Sequence, residues 1–183
     1  MSNKIHKQIV LVSVLLVTAV VCFFILKDTH NTALQKEIQS WVGYRFNFPE
    51  DVQLIYGEDS LLSRPYKILI YIDDAGCTGC DLRLRDWFNM YETGFNKVVP
   101  DQLSIIILFD GKEKDDILAL VRGTKWSMPI FWDSDGAMNR ERKFPKNTGM
   151  RCMLLDGDNR VLLVGNPVSS PDIYDLYLKI LLT

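Results

Sequence analysis

Three stretches of this chain are apolar almost without a break: residues 9–26, 68–72 and 103–109. The first is interrupted only by Ser13 and Thr18. As a helix it would span about 27 Å, close to the roughly 30 Å hydrocarbon layer of a bilayer. The pattern predicts an N-terminal transmembrane helix within residues 1–30, engaging a membrane through residues 9–26. Lys4 and Lys7 hold its leading end in the cytoplasm and put the rest of the chain on the periplasmic or extracytoplasmic side. Two other fates stay open. Cleavage as a signal peptide would need a shorter run and a small-x-small site, and lipidation at Cys22 would want a small residue where Val21 stands.

The other two runs have strand length and are apolar but for Ser104, as strands covered on both faces are. Between them Leu84, Trp87, Phe88 and Tyr91 fall at helical spacing, and this face leaves Arg83, Arg85 and Asp86 toward water. After the second run Asp110-Gly111 turns the chain, and Ile117, Leu120 and Val121 line a helix over 112–122 that Gly123 stops. Strand, helix, strand, helix on short joins predicts a parallel α/β unit with right-handed crossovers.

Ahead of this unit, Leu34, Ile38, Trp41 and Val42 predict a short amphipathic helix ended by Gly43, and residues 52–56 a strand turned by 57–60. Behind it come a short strand over 129–132, the turn Asp133-Ser134-Asp135-Gly136, and strands over 151–155 and 161–164 flanking Asp156-Gly157-Asp158-Asn159, a hairpin signal. Ser170 caps a final helix with Pro171 at its first position and Ile173, Leu176, Tyr177, Ile180 and Leu181 facing inward. The chain thus divides into an anchor over 1–30, a helix and connector over 31–50, and one domain over 51–183.

Composition narrows the chemistry. Of 21 basic and 23 acidic residues, the anchor region takes Lys4, Lys7, Lys27 and Asp28, which leaves 18 against 22. That acidic balance carries no footprint for nucleic acid. The two histidines are His6 and His30, so everything beyond them lacks the residue that Ser-His-Asp and Cys-His catalysis and most zinc sites require.

What remains is Cys77-Thr78-Gly79-Cys80, set between the strand over 68–72 and the helix that follows. A cysteine at the first turn of a helix faces unpaired backbone N–H groups and the positive end of the dipole, which favour thiolate over thiol. A zinc site would need four ligands, and only Cys152 stands beside the pair, so no metal is expected. Cys152 reads either as a small core residue of a strand or as a third redox partner. Asp133-x-Asp135-Gly136 resembles the opening of a calcium loop but lacks its later acidic positions, Arg142 standing at the glutamate. Arg83 and Arg85 are open to three readings: solvated, attracting an acidic substrate, or stabilising the Cys77 thiolate.

The order of elements, with the Cys77–Cys80 motif between a central strand and its helix and a closing hairpin plus helix, resembles the thioredoxin-like superfamily in its membrane-attached bacterial form. It is similar to the TlpA- and ResA-type thiol-disulfide proteins over about residues 52–182. The resemblance implies a central mixed sheet flanked by helices, with Cys77 as attacking thiolate and Cys80 as resolving thiol. Thr78, Gly79, Gly149 and Met150 would then touch the substrate. Two positions depart from the family: Met150 stands where a cis proline precedes the strand, and Tyr71 where a buried acid lies six residues before the first cysteine. The peroxide-reactive context of peroxiredoxins, with its proline and Thr/Ser, is absent ahead of Cys77.

The resulting expectation is a membrane-anchored thiol-disulfide oxidoreductase of the cell envelope that needs no cofactor. Its partners would be a client protein with thiols or a disulfide and a redox protein that regenerates the pair. The alternative is a non-catalytic thioredoxin-like module that binds a protein or peptide.

Overall fold

The computed structural model describes residues 16, 23, 31–73, 83–111 and 113–183. Most of the apolar run over 9–26 lies outside them; its described members, Leu16 and Phe23, are helical and exposed. No described helix is long and apolar enough to cross a membrane. The chain forms two compact units, Met1–Ser40 and Trp41–Thr183. In the first, residues 31–40 are helical, and in the second Gly43 turns the chain with φ 83°.

The second unit is built on a mixed sheet of six strands: β1 (Gln53–Tyr56), β2 (Tyr66–Ile72), β3 (Leu103–Asp110), β4 (Ile130–Asp133), β5 (Cys152–Leu155) and β6 (Val161–Val164), in the order β1-β4-β3-β2-β5-β6. β2, β3 and β4 run parallel, while β1, β5 and β6 each pair antiparallel with their neighbours. The apolar runs become β2 and β3 because only continuously apolar segments can sit in mid-sheet with both faces covered. From Leu103 to Phe109 every residue of β3 is buried.

Helix α1 (Leu84–Met90) connects β2 to β3, and α2 (Lys114–Val121) connects β3 to β4. The chain steps in one direction across the sheet, so two right-handed crossovers must lay both helices on the same face. Their buried residues Trp87, Ile117 and Val121, with Tyr91 just past the end of α1, share one core with Ile68, Ile70, Ile105, Ile107 and Phe109 of the strands. The final helix α4 (Pro171–Leu181) joins that core through Tyr177 and Leu181. Its start is as the sequence predicts: Pro171 is at the first turn, and Ser170 Oγ accepts from the Ile173 N–H.

Alternation along the strands sends Leu69, Tyr71, Ile106, Leu108 and Phe131 to the opposite face. There the cover is aromatic. Trp41, Phe46 and Phe144 stack at centroid distances of 5.7–5.9 Å, Phe144 stacks on Tyr71 at 3.7 Å, and Phe48 lies against Phe131 at 5.7 Å. Arg142 sits over the Trp41 and Tyr44 rings. The segment 41–48 is thereby part of the domain: the Gly43 N–H donates to the Val161 carbonyl of the edge strand, the Val161 N–H to the Tyr44 carbonyl, and the Phe46 N–H to the Asn159 carbonyl in the adjoining turn.

Two local features differ from the expected pattern. The turn after β1 continues into a 3-10 helix, Asp59–Ser63. The helix opened by α1 widens into a π-helical turn, Tyr91–Phe95, where the ring of Tyr174 lies against Gly94 so closely that any side chain there would meet its hydroxyl. No hydrophobic periodicity announces either feature.

Candidate active site

The C-terminal ends of the three parallel strands converge on a group of polar side chains. Tyr71 near the end of β2 donates its hydroxyl to Oδ2 of Asp110, at the end of β3, over 2.5 Å. Asp110 is in turn opposite Asp133, the last residue of β4. Asp133 has no exposed surface, and its two oxygens accept from the backbone N–H groups of Ala137 and Met138 at 2.8 and 2.9 Å. Those are the leading amides of α3 (Ala137–Glu141), so a carboxylate caps a helix start. The turn between them needs Gly136: its φ is 66°, and a Cβ there would lie 2.9 Å from Asp110 Oδ1.

Beyond β2, Asp73 is held by Arg151, whose Nη2 is 2.8 Å from Asp73 Oδ2. Arg151 Nε also donates to the Pro145 carbonyl, and the guanidinium lies 5.7 Å from the Tyr71 ring. One cation therefore ties together the end of β2, the segment before β5 and the Tyr71 ring.

These contacts set the proton affinities. Burial raises the Asp110 carboxyl above its ordinary value, and the nearby Asp133 and Asp73 add to the rise, while the Tyr71 hydrogen bond and Arg140 oppose it. The Tyr71 phenol is pushed well up, first by burial and then by the bond to Asp110. Tyr71 is the donor, and Asp110 is a carboxyl with an unusual readiness to hold a proton.

Cys77, Thr78, Gly79 and Cys80 lie outside the described residues, as does Asp74. The segment that contains them leaves from Asp73 and is rejoined at Arg83, which has a left-handed backbone (φ 44°) and bonds Asp86 just ahead of α1. Met150 and Gly149 belong to a 3-10 turn, Thr148–Met150, immediately before Arg151. Met150 is buried, and Gly149 is exposed with its N–H on Asn147 Oδ1. Every peptide bond among the described residues is trans, that of Met150 included. No group of described His, Cys, Asp and Glu side chains is arranged to hold a metal ion.

Cys152 is 2% exposed on β5. Its sulfur is 3.6 Å from the Tyr177 hydroxyl, which itself donates to the Gly165 carbonyl. Burial pushes the thiol up to about 12, so it stays protonated and unreactive. In the native protein, iodoacetamide at pH 8 is expected to leave Cys152 unmodified and to reach it only after unfolding. Peptide mass mapping before and after urea checks this, and native labelling of Cys152 would contradict the packing.

Sequence reasoning passed over Asp110 and Asp133 as turn residues. Each ends a strand, followed by glycine directly or within the same turn, and nothing local separates such an acid from a solvated one. The Tyr71 position was singled out because it departs from the family, and that is where the acid of the neighbouring strand arrives.

No protein-family model matches the sequence, and no curated protein matches it. Solved structures do share its fold. The thioredoxin domain of a thiol-disulfide oxidoreductase from Bacteroides vulgatus superposes with a TM-score of 0.55 at 11% identity, covering 76% of this chain and 97% of that one. A domain of a possible thiol-disulfide isomerase from Cytophaga hutchinsonii gives 0.52 at 11% identity, over 76% and 93%. A mutant of PrxQ from Xylella fastidiosa gives 0.50 at 12% identity, over 76% and 94%.

Proposed function

We propose that this chain, which has the thioredoxin-like fold, is a thiol-disulfide oxidoreductase of the cell envelope. It is anchored through residues 9–26 and works through Cys77 and Cys80. The observation that carries the reading is topological. In the sequence the Cys77-Thr78-Gly79-Cys80 motif comes five residues after the end of β2, a strand hydrogen-bonded to β3 on one side and β5 on the other.

In the cycle, the Cys77 thiolate attacks a client disulfide, forms a mixed disulfide and expels one client thiolate. Cys80 then gives up its proton and attacks the Cys77 sulfur. The Cys77–Cys80 bond forms, the second client thiolate leaves, and two electrons have passed from the pair to the client. A redox partner reverses the change. Asp110 is the carboxyl suited to take the Cys80 proton: its raised proton affinity brings it closer to a thiol's than an ordinary aspartate would be. The resemblance places an acid at the position of Tyr71, and here that residue's hydroxyl reaches an acid instead. Asp73 is neutralised by Arg151, which limits its repulsion of a thiolate.

The all-trans backbone around Met150 and the burial of its side chain favour a second reading, a thioredoxin-like module that binds a protein or peptide without redox chemistry. One experiment separates the two. In a Cys80→Ser variant the mixed disulfide cannot resolve, so a covalent client adduct through Cys77 is expected on a non-reducing gel, absent in Cys77→Ser. An accessible Cys77 that accumulates no adduct would leave the binding module.

A further inference from the structure

Helix α1 and the loop ahead of β4 enclose a cavity of about 340 Å³ that the chemistry above does not use. Its apolar wall is Leu84, Phe88 and Trp126, and Arg85, Lys125 and Asn89 stand on the same lining. No acid lines it. Arg83, next along the chain, is spent on Asp86 at 2.7 Å, whereas Arg85 and Lys125 have no hydrogen-bond or ion-pair partner among the described residues. The three readings of Arg83 and Arg85 thus divide: one arginine is paired, the other faces a cavity with a second free cation.

Trp126 is the buried member of that wall, 3% exposed, and its indole Nε1 lies beneath the surface with no acceptor among the described residues. A second cavity, of about 420 Å³ beside Gly94, Pro167 and Tyr174, has no charged residue on its lining and offers no comparable handle.

We infer that the cavity is a recognition site for an acidic polypeptide, taking a carboxylate side chain beside an apolar one. The apolar residue packs on Leu84, Phe88 and Trp126, and the carboxylate accepts from Arg85 and Lys125. Leu84 and Arg85 open the helix that follows Cys80, so the natural occupant is the sequence flanking a client's cysteine. That identification of the peptide as a client flank rests on the thiol-disulfide reading; the preference for an acid beside an apolar residue does not. The domain's net negative charge disfavours acidic ligands at long range, so the attraction is local and salt-sensitive.

The test is a titration of the full-length, nitrogen-15-labelled chain with the peptide acetyl-Leu-Asp-Ser-Gly-amide and its Asn counterpart. The readout is the Trp126 indole N–H resonance, assigned with Trp126→Phe. The Asp peptide is expected to move that resonance at about fivefold lower concentration than the Asn peptide in low salt. Arg85→Ala and Lys125→Ala should each shrink that margin, and 1 M salt should erase it. A resonance that does not move at millimolar peptide, or that moves equally for both, would overturn the site. If the margin appears but the disulfide-linked dimer of a cysteine-containing version of the peptide is not reduced by the dithiol form of the chain, the site stands and the oxidoreductase reading falls.

Discussion

Asp133→Ala is expected to remove about 3–5 kcal/mol of folding stability. The carboxylate has no exposed surface and accepts from two backbone N–H groups, Ala137 and Met138, the second belonging to a buried residue. Hydrogen bonds to a charged acceptor are worth about 1.5–3 kcal/mol each, and here both donors are left at a helix start with no replacement oxygen. Against a typical total of about 5–15 kcal/mol the loss is severe, and it corresponds to roughly 10 °C in Tm. Asp133→Asn keeps one accepting oxygen and should lose about half as much. Urea unfolding of the three proteins checks the series. A change within about 0.5 kcal/mol for the alanine variant would mean that the turn reorganises around other acceptors.

Tyr71→Phe is expected to act on charge as well as packing. The ring's stack on Phe144 survives, but Asp110 loses the donor that opposes its raised proton affinity. The phenol bonds the carboxylate more strongly than the neutral acid, so without it the Asp110 titration should move further upward.

The sign for stability follows from linkage. A carboxyl whose folded pKa is raised binds more protons folded than unfolded between its unfolded value and its folded one, so stability falls as pH rises through that window. In wild type the window opens near the ordinary aspartate value of 3.8 and extends upward to the raised one. In Tyr71→Phe it extends further. The variant should therefore be weaker than wild type by about 1.5–3 kcal/mol at pH 7 and by only about 0.5–1.5 kcal/mol near pH 3, where Asp110 is protonated in both states. Asp110→Asn should remove the slope altogether. Carbon-13 titration of Asp110 together with urea curves at pH 3 and pH 7 checks this, and equal losses at the two pH values would contradict it. If Asp110 takes the Cys80 proton, the pH profile of thiol exchange moves upward with the same titration. A purely structural hydrogen bond would leave that profile in place.

Much of the fold could be read along the chain because the signals are local. The continuous apolar runs at β2 and β3, the helical stripe of Trp87 and Tyr91, the Asp156–Asn159 hairpin and the Ser170-Pro171 cap each place their own hydrogen bonds and buried faces within a few residues. Periodicity could not report the insertion of β4 between β1 and β3, since pairing order is decided by which strand edges meet. The aromatic slab of Trp41, Phe46 and Phe144 was equally hidden: Trp41 reads as the end of an amphipathic helix and Phe46 as connector because their partner Phe144 lies about a hundred positions away.

By itself, then, the sequence determined the class of chain: an apolar N-terminal run, an α/β domain with its strands and helices in the observed order, and two cysteines at the exit of a central strand. Composition also settled that no histidine serves the domain. Only the tertiary structure decided which acid meets Tyr71 and which cations lack a partner among the described residues. Parallel pairing of β2 with β3 and of β3 with β4 brings Tyr71, Asp110 and Asp133 to one end of the sheet, and the crossover of α2 sets Lys125 and Trp126 against Arg85. The reason is physical: a side chain's local pattern reports whether it is buried, while its proton affinity and its partners depend on charges carried by other strands.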